Sequence, residues 1–365
     1  MSETTKEQRA EERTDRRADF RRAASGGRRG GRRRGGRRAE NQVVPDVEFT
    51  SYYGRPVVKA SPWEADIPAY LFLGGLAAGS SLLGAGADLT GRPGLRRVGR
   101  IGAMGAITVS FAALVHDLGR PERFVNMLRV AKPTSPMSVG TWLLTAFGPL
   151  AGLAGAAELL APATRSSHAT LRGPARLMGV LAGPAGIAAA VVAPPVASYT
   201  AVLLTDTATP SWNSARHELP FVFVASAAAA SGGLSMIFAP TAEAGPARRL
   251  AMAGAAVELA VEHRMEGSMG LAAEPLHAGV AGRLMRASKA LTAFGGAAAM
   301  LGGRSRVASV VAGSSLLAGS ACTRFGIFHA GQASARDPKY TVVPQRERLD
   351  ARRASGQPTP SAGVS

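Results

Sequence analysis

A single cysteine, Cys322, stands in 365 residues. One thiol closes no disulfide framework and cannot by itself hold an iron–sulfur cluster or a structural zinc ion. Any cluster that works with this chain must therefore belong to another one. Histidine is also scarce: the six, at 116, 168, 217, 263, 277 and 329, fall mostly in connectors or near the ends of apolar runs. Bis-histidine haem ligation needs two imidazoles at matching depth, so haem is not expected. Aromatics make up 5% and charged residues 19%, and the charges gather in tails and short connectors instead of spreading along the chain as a soluble surface requires. Phosphate-cradling loops, nucleophile elbows and metalloprotease helices are missing as well. Glycine pairs such as Gly74-Gly75 lie inside apolar runs, where no nucleotide would sit.

Acidic residues are short too, 25 against 43 Lys and Arg, for a net charge of +18. Much of that excess is local. Residues 1–60 hold sixteen Lys/Arg and nine Asp/Glu, and Arg21 to Arg38 contains nine arginines with no acid. Such a segment reads as a solvated, disordered tail, not a fold. Nucleic acid is not the expected partner, because no aromatics interleave with the basic residues. Anionic membrane lipid, or retention of the N-terminus in the cytoplasm, accounts for the run more simply. No cleavable signal is expected, since the chain stays polar for about 60 residues before the first apolar run.

What the chain does have is long runs of Gly, Ala and aliphatic residues. A bilayer span needs roughly 20 mainly apolar residues, and eight segments qualify: 66–89, 98–118, 138–160, 177–204, 218–239, 248–264, 288–303 and 306–331. The expected fold is an all-α integral membrane protein. It would be a bundle of about eight transmembrane helices over residues 61–331, multi-pass in the plasma membrane, with a C-terminal tail over 332–365. Pro184 and Pro194-Pro195 break the fourth segment. The stretch from Glu266 to Arg286 reads as amphipathic and could lie in the interface as a separate helix. Small residues dominate the spans and allow close backbone packing, which replaces the hydrophobic effect between helices in lipid. Eight spans put both termini on one side, with Arg92, Arg96, Arg97, Arg100, Arg165, Arg172 and Arg176 counted as connector charges on the other.

Polar groups inside membrane helices are costly, so each is a functional candidate. The segment from His116 to Trp142 concentrates them between two apolar runs. His116 and Asp117 could exchange protons near neutral pH, or belong to a solvated turn. Arg120, Arg123, Arg129 and Lys132 could grip an acidic partner surface. Asp66 and Tyr70, four residues apart, share one helical face; a carboxylate and a phenol there could bond a quinone carbonyl, while Asp66 could equally cap the first turn beside Pro68. Tyr199 is either an interfacial belt residue or a pocket residue. Glu258, Glu262 and His263 lie along one helix and suit a proton relay or a charged helix end.

These stretches together resemble the NrfD/polysulfide-reductase membrane-subunit family. The resemblance rests on the Asp117-Leu118-Gly119-Arg120-Pro121 turn, the IPAYLFLGGLAAG run from Ile67, the SYTAVLL segment from Ser198 and the SARDPKYTVVPQRER close from Ser334. The last looks like the formate-dehydrogenase-associated branch. It implies a membrane subunit passing electrons between menaquinone or ubiquinone and a ferredoxin-like iron–sulfur subunit of a molybdopterin enzyme. Asp66, Tyr70, His116 and Tyr199 would then meet the quinone, with Asp117, Glu258, Glu262 and His263 relaying protons. Some members of the family carry His where Tyr70 stands. An ion or small-molecule transporter is the competing reading, supported by the interrupted fourth segment and the acidic sixth, and a passive membrane anchor is a third.

Overall fold

The computed structural model describes residues 56–355 apart from 119, 121, 123, 166–168 and 304. Most of the expected Arg-rich tail, Arg123 and the last ten residues lie outside the described residues. Within them the chain is built from helices and turns. The long helices are α1 (Asp66–Leu89), α2 (Pro93–Asp117), α3 (Pro136–Leu160), α4 (Ala169–Thr205), α5 (Leu219–Phe238), α6 (Gly245–Ser268), α7 (Gly279–Ala299), α8 (Arg306–Arg336) and α9 (Lys339–Ala354). Six of these, α1 to α5 and α8, are long and apolar enough to cross a membrane. The helices α6 and α7 have the length but carry more charge.

The helix ends follow from local chemistry. Gly91, at φ +66°, closes α1 while the Arg92 amide donates back to the Ala87 carbonyl, and Pro93 opens α2. The Ser305 hydroxyl caps α8 by accepting from the Ala308 amide. Arg306 then donates to the Met236 and Ala239 carbonyls, which the end of α5 leaves free.

Two sequence expectations change here. The fourth segment is not broken: α4 runs 37 residues through Pro174, Pro184, Pro194 and Pro195. Each proline forfeits one helical hydrogen bond, a loss that neighbouring helices compensate in a packed membrane bundle. Nor does 266–286 form a separate interfacial helix. Left-handed Gly270 and Gly279 cut it into the end of α6, a 3₁₀ turn (Gly270–Ala273), a single helical turn (Glu274–His277) and the start of α7.

The helices form two groups, α1–α4 and α5–α8, with α1 and α4 packed on α5, and α1 also on α8. Glycine sets the closest approaches. A Cβ on Gly99 would come 2.6 Å from the Gly84 nitrogen, and one on Gly233 would come 2.7 Å from the Gly313 oxygen. At the end of the bundle away from His116, Arg96 and Arg100 of α2 both pair with Asp88 of α1 and Glu158 of α3, at 2.7–3.2 Å. Arg100 and Glu158 are buried, and the guanidinium lies against Gly186 of α4. Arg96 and Arg100 are thus not simple connector charges. Four ionised groups join three helices, and a glycine on the fourth lets that helix close over them.

Candidate functional site

The ends of the helices on the His116 side carry most of the structure outside the bundle. Residues 61–63, a short helix (Pro210–Ser214), the turns over 269–278 and α9 all meet there. Trp212 is the pin: it stacks on Trp63 at 6.0 Å between ring centroids, and its indole N–H donates to the Ile327 carbonyl at 2.8 Å. Gly331 leaves room for that indole. Gln332 of α8 donates to the Ser61 carbonyl at 3.0 Å, and Ser211 donates to the Ala272 carbonyl at 2.8 Å. The approach to α1 is therefore fixed by side chains from two distant parts of the chain, Trp212 and Gln332.

At the start of α1 the residue before the helix is Ala65 and no side chain caps the turn. Asp66 reaches across instead, placing Oδ2 2.7 Å from Nδ1 of His116 at the end of α2. The carboxylate is half-buried and the imidazole is exposed. Tyr70, one turn further along α1, is buried, and the Ser110 hydroxyl of α2 donates to its carbonyl at 3.1 Å. Tyr199 of α4 is buried as well. Its ring packs against Gly140 of α3, where a β-carbon would collide with it. The phenolic oxygen has no hydrogen-bond partner. Asp66, Tyr70, His116, Gly140 and Tyr199 all lie within about two helical turns of the same ends of α1–α4. Sequence reasoning named four of these five. It missed Gly140, for which the only signal was a glycine near the start of an apolar run.

The connector from α2 to α3 leaves Arg120, Arg129 and Lys132 exposed. It is held by Ser138, whose hydroxyl donates to the Val130 carbonyl and accepts from the Lys132 amide, both near 3 Å. Asp117 is half-buried.

The acidic residues of α6 belong to a second site. Glu258 and Glu262 point inward and are buried, whereas His263, one residue on, is exposed on another face. Glu258 Oε1 lies 2.8 Å from the Thr323 hydroxyl, which meets Ser288 at 2.5 Å. Lys289 sits 3.8 Å from Glu262 and 2.7 Å from Glu266. Close by, Arg324 of α8 is fully buried over the Phe223 ring and donates to the Phe223 carbonyl at 2.8 Å. Glu258 Oε2, both oxygens of Glu262 and two guanidinium nitrogens of Arg324 lack hydrogen-bond partners. Arg324, part of the C-terminal stretch that resembles the family, was given no site role from the sequence, although an arginine inside an apolar span is a recognisable signal.

No group of three or more His, Cys, Asp or Glu side chains suited to a metal ion occurs among the described residues. The fold and these sites define a multi-pass helical membrane protein with unsatisfied polar groups inside its bundle. A family model described as polysulphide reductase, NrfD, matches residues 57–255, over half of the chain. The chain belongs to the NrfD family, membrane subunits of oxidoreductase complexes. No curated protein matches it.

Proposed function

We propose that this chain exchanges electrons and protons between a membrane quinone, menaquinone or ubiquinone, and an iron–sulfur subunit seated over the α2–α3 connector. The observation that carries the reading is the unpartnered phenol of Tyr199, buried in the bundle whose adjoining helix ends bear the Asp66–His116 pair. A buried hydroxyl without a partner is costly, and a quinone oxygen is a group it could bond. The residues present fit such a substrate: an apolar interior, a phenol to orient the ring and a carboxylate–imidazole pair to exchange protons.

Interconversion of quinone and quinol moves two electrons and two protons. The electrons pass to or from the partner's cluster, since one cysteine here can hold none. Asp66 orients His116 and stabilises its cationic form, so the imidazole can take or return a proton at the exposed end of the site. Arg120, Arg129 and Lys132, with Arg123 outside the described residues, offer an acidic partner surface a set of cations. The likeness of the C-terminal stretch favours a formate-dehydrogenase type of molybdopterin partner. Residues 61–331 would be the working bundle, flanked by the two tails. Asp117, Glu258 and Glu262 extend the proton route, and His263 is the weakest member because it faces outward. The transporter reading loses its discontinuous helix, because α4 is continuous.

The test is quinone-analogue turnover by membranes containing the whole complex. Asp66→Asn keeps the size of the side chain and removes the charge, and is expected to lower turnover by roughly 100-fold with the complex still assembled. Unchanged turnover in an assembled complex would refute the reading.

A further inference from the structure

Between α2 and α3 lies an apolar cavity of about 610 Å³ that no residue assigned above occupies. On α2 its wall is a single stripe, Ile107, Phe111 and Val115 with Thr108 and Ala112, which runs about 12 Å along the helix axis. On α3 the wall is Leu144, Thr145, Gly148 and Pro149. Both threonine hydroxyls are already spent on their own helices, Thr108 donating to the Met104 carbonyl and Thr145 to the Thr141 carbonyl, each at 2.8 Å. Nothing in the wall asks for a polar ligand. The space is open at Gly148, where an added Cβ would meet no atom within 4 Å.

The ends of the cavity differ. Ile107 marks the middle of α2. At the other end Leu128, from the α2–α3 connector, joins Val115 in the wall. One turn beyond Ala112 on the same helical face stands His116, bonded to Asp66. An apolar slot that starts at the middle of α2 and finishes one helical turn from His116 has the shape a chain attached to that headgroup needs. A loose acyl chain would not require this alignment.

We infer that this slot holds the polyprenyl tail of the quinone, so that α2 and α3 select long-tailed substrates while Asp66, His116 and Tyr199 handle the ring. The inference rests on the quinone reading above.

The test compares a tail-free benzoquinone with the same ring carrying a three-isoprene tail, both assayed with the assembled complex in vesicles. Gly148→Phe fills the slot, and Gly152→Phe, one turn along α3 and also facing open space, is the control. Gly148→Phe is expected to raise KM for the tailed quinone about tenfold relative to the tail-free one, with Gly152→Phe leaving that ratio at the wild-type value. A ratio unmoved by Gly148→Phe, with both quinones still turned over, overturns the tail assignment and leaves the slot to lipid acyl chains. Absence of turnover with either quinone in the wild type removes the quinone reading itself, and the tail assignment with it.

Discussion

Replacing Tyr199 with Phe separates a pocket residue from a packing residue, because the two roles predict opposite signs for stability. The ring lies on Gly140 and stays there in the variant, so the packing contribution is kept. Only the hydroxyl is lost, and it has no partner in the protein. An unsatisfied buried hydroxyl costs about 1–3 kcal/mol, so its removal is expected to stabilise the ligand-free chain by about 1 kcal/mol and raise the apparent Tm by roughly 2 °C. Turnover moves the other way. The lost bond to a quinone oxygen is worth about 0.5–1.5 kcal/mol, which raises KM for quinone roughly 3–10-fold. Thermal unfolding of the purified complex and quinone titration on the same preparation read both effects. A variant less stable than the parent by about 1 kcal/mol would mean that the hydroxyl is structurally bonded, and an unchanged KM would remove Tyr199 from the site.

Glu158→Gln is expected to destabilise the chain by about 2–3 kcal/mol, below the usual 3–5 for a broken buried pair because Asp88 still faces both arginines; denaturant titration in detergent checks it, and a loss under about 0.5 kcal/mol would refute the clamp. At the opposite end, Lys339 donates to Glu274 at 2.6 Å and holds that carboxyl below its usual range, while the same bond raises the Lys339 ammonium above its own. The carboxylate's contribution to docking α9 is present above the unfolded value of about 4.3 and is lost as pH falls through the lowered folded one. The ammonium's contribution is present below about 10.4 and is lost as pH rises through the raised value. Limited proteolysis within α9 should therefore quicken at the acid end and again at strongly alkaline pH, and a flat profile would show that the pair does not hold the helix.

The spans that were easiest to read are those where composition alone decides. Runs such as 66–89 and 219–238 are apolar all round, so no partner is needed to recognise them. The charged helices α6 and α7 were harder, because Lys289 of α7 meets Glu262 and Glu266 of α6 only in the folded bundle, which no linear pattern records. The same cause hid the clamp: Arg96 and Arg100 look like connector charges until Glu158, 58 residues beyond Arg100, is folded against them. Asp66 and His116 were each visible as polar residues at span ends, but their bond joins positions 50 apart. Proline misled for a different reason. In water, four prolines would end a helix, whereas in a membrane the alternative to helix is an unsatisfied backbone, so α4 continues through them.

Buried polar atoms without a hydrogen-bond partner occur in both helix groups. Ser80, Arg100 and Tyr199 hold such atoms among α1–α4, while Ser235, Glu258, Glu262, Thr292, Arg324 and Gln332 hold them among α5–α8. The helix α1 touches both: its Tyr70 carbonyl accepts from Ser110 on one side, and Gly75 faces Arg324 on the other, with the guanidinium 3.5 Å from where a Cβ would stand. A buried charge is thus held against the same helix that presents Asp66 to His116. An ionisable group inside a membrane bundle is a functional candidate by default. That argument applies to Tyr199 and to Arg324 alike, and it makes α1 the element along which the chemistry of the two groups would be joined.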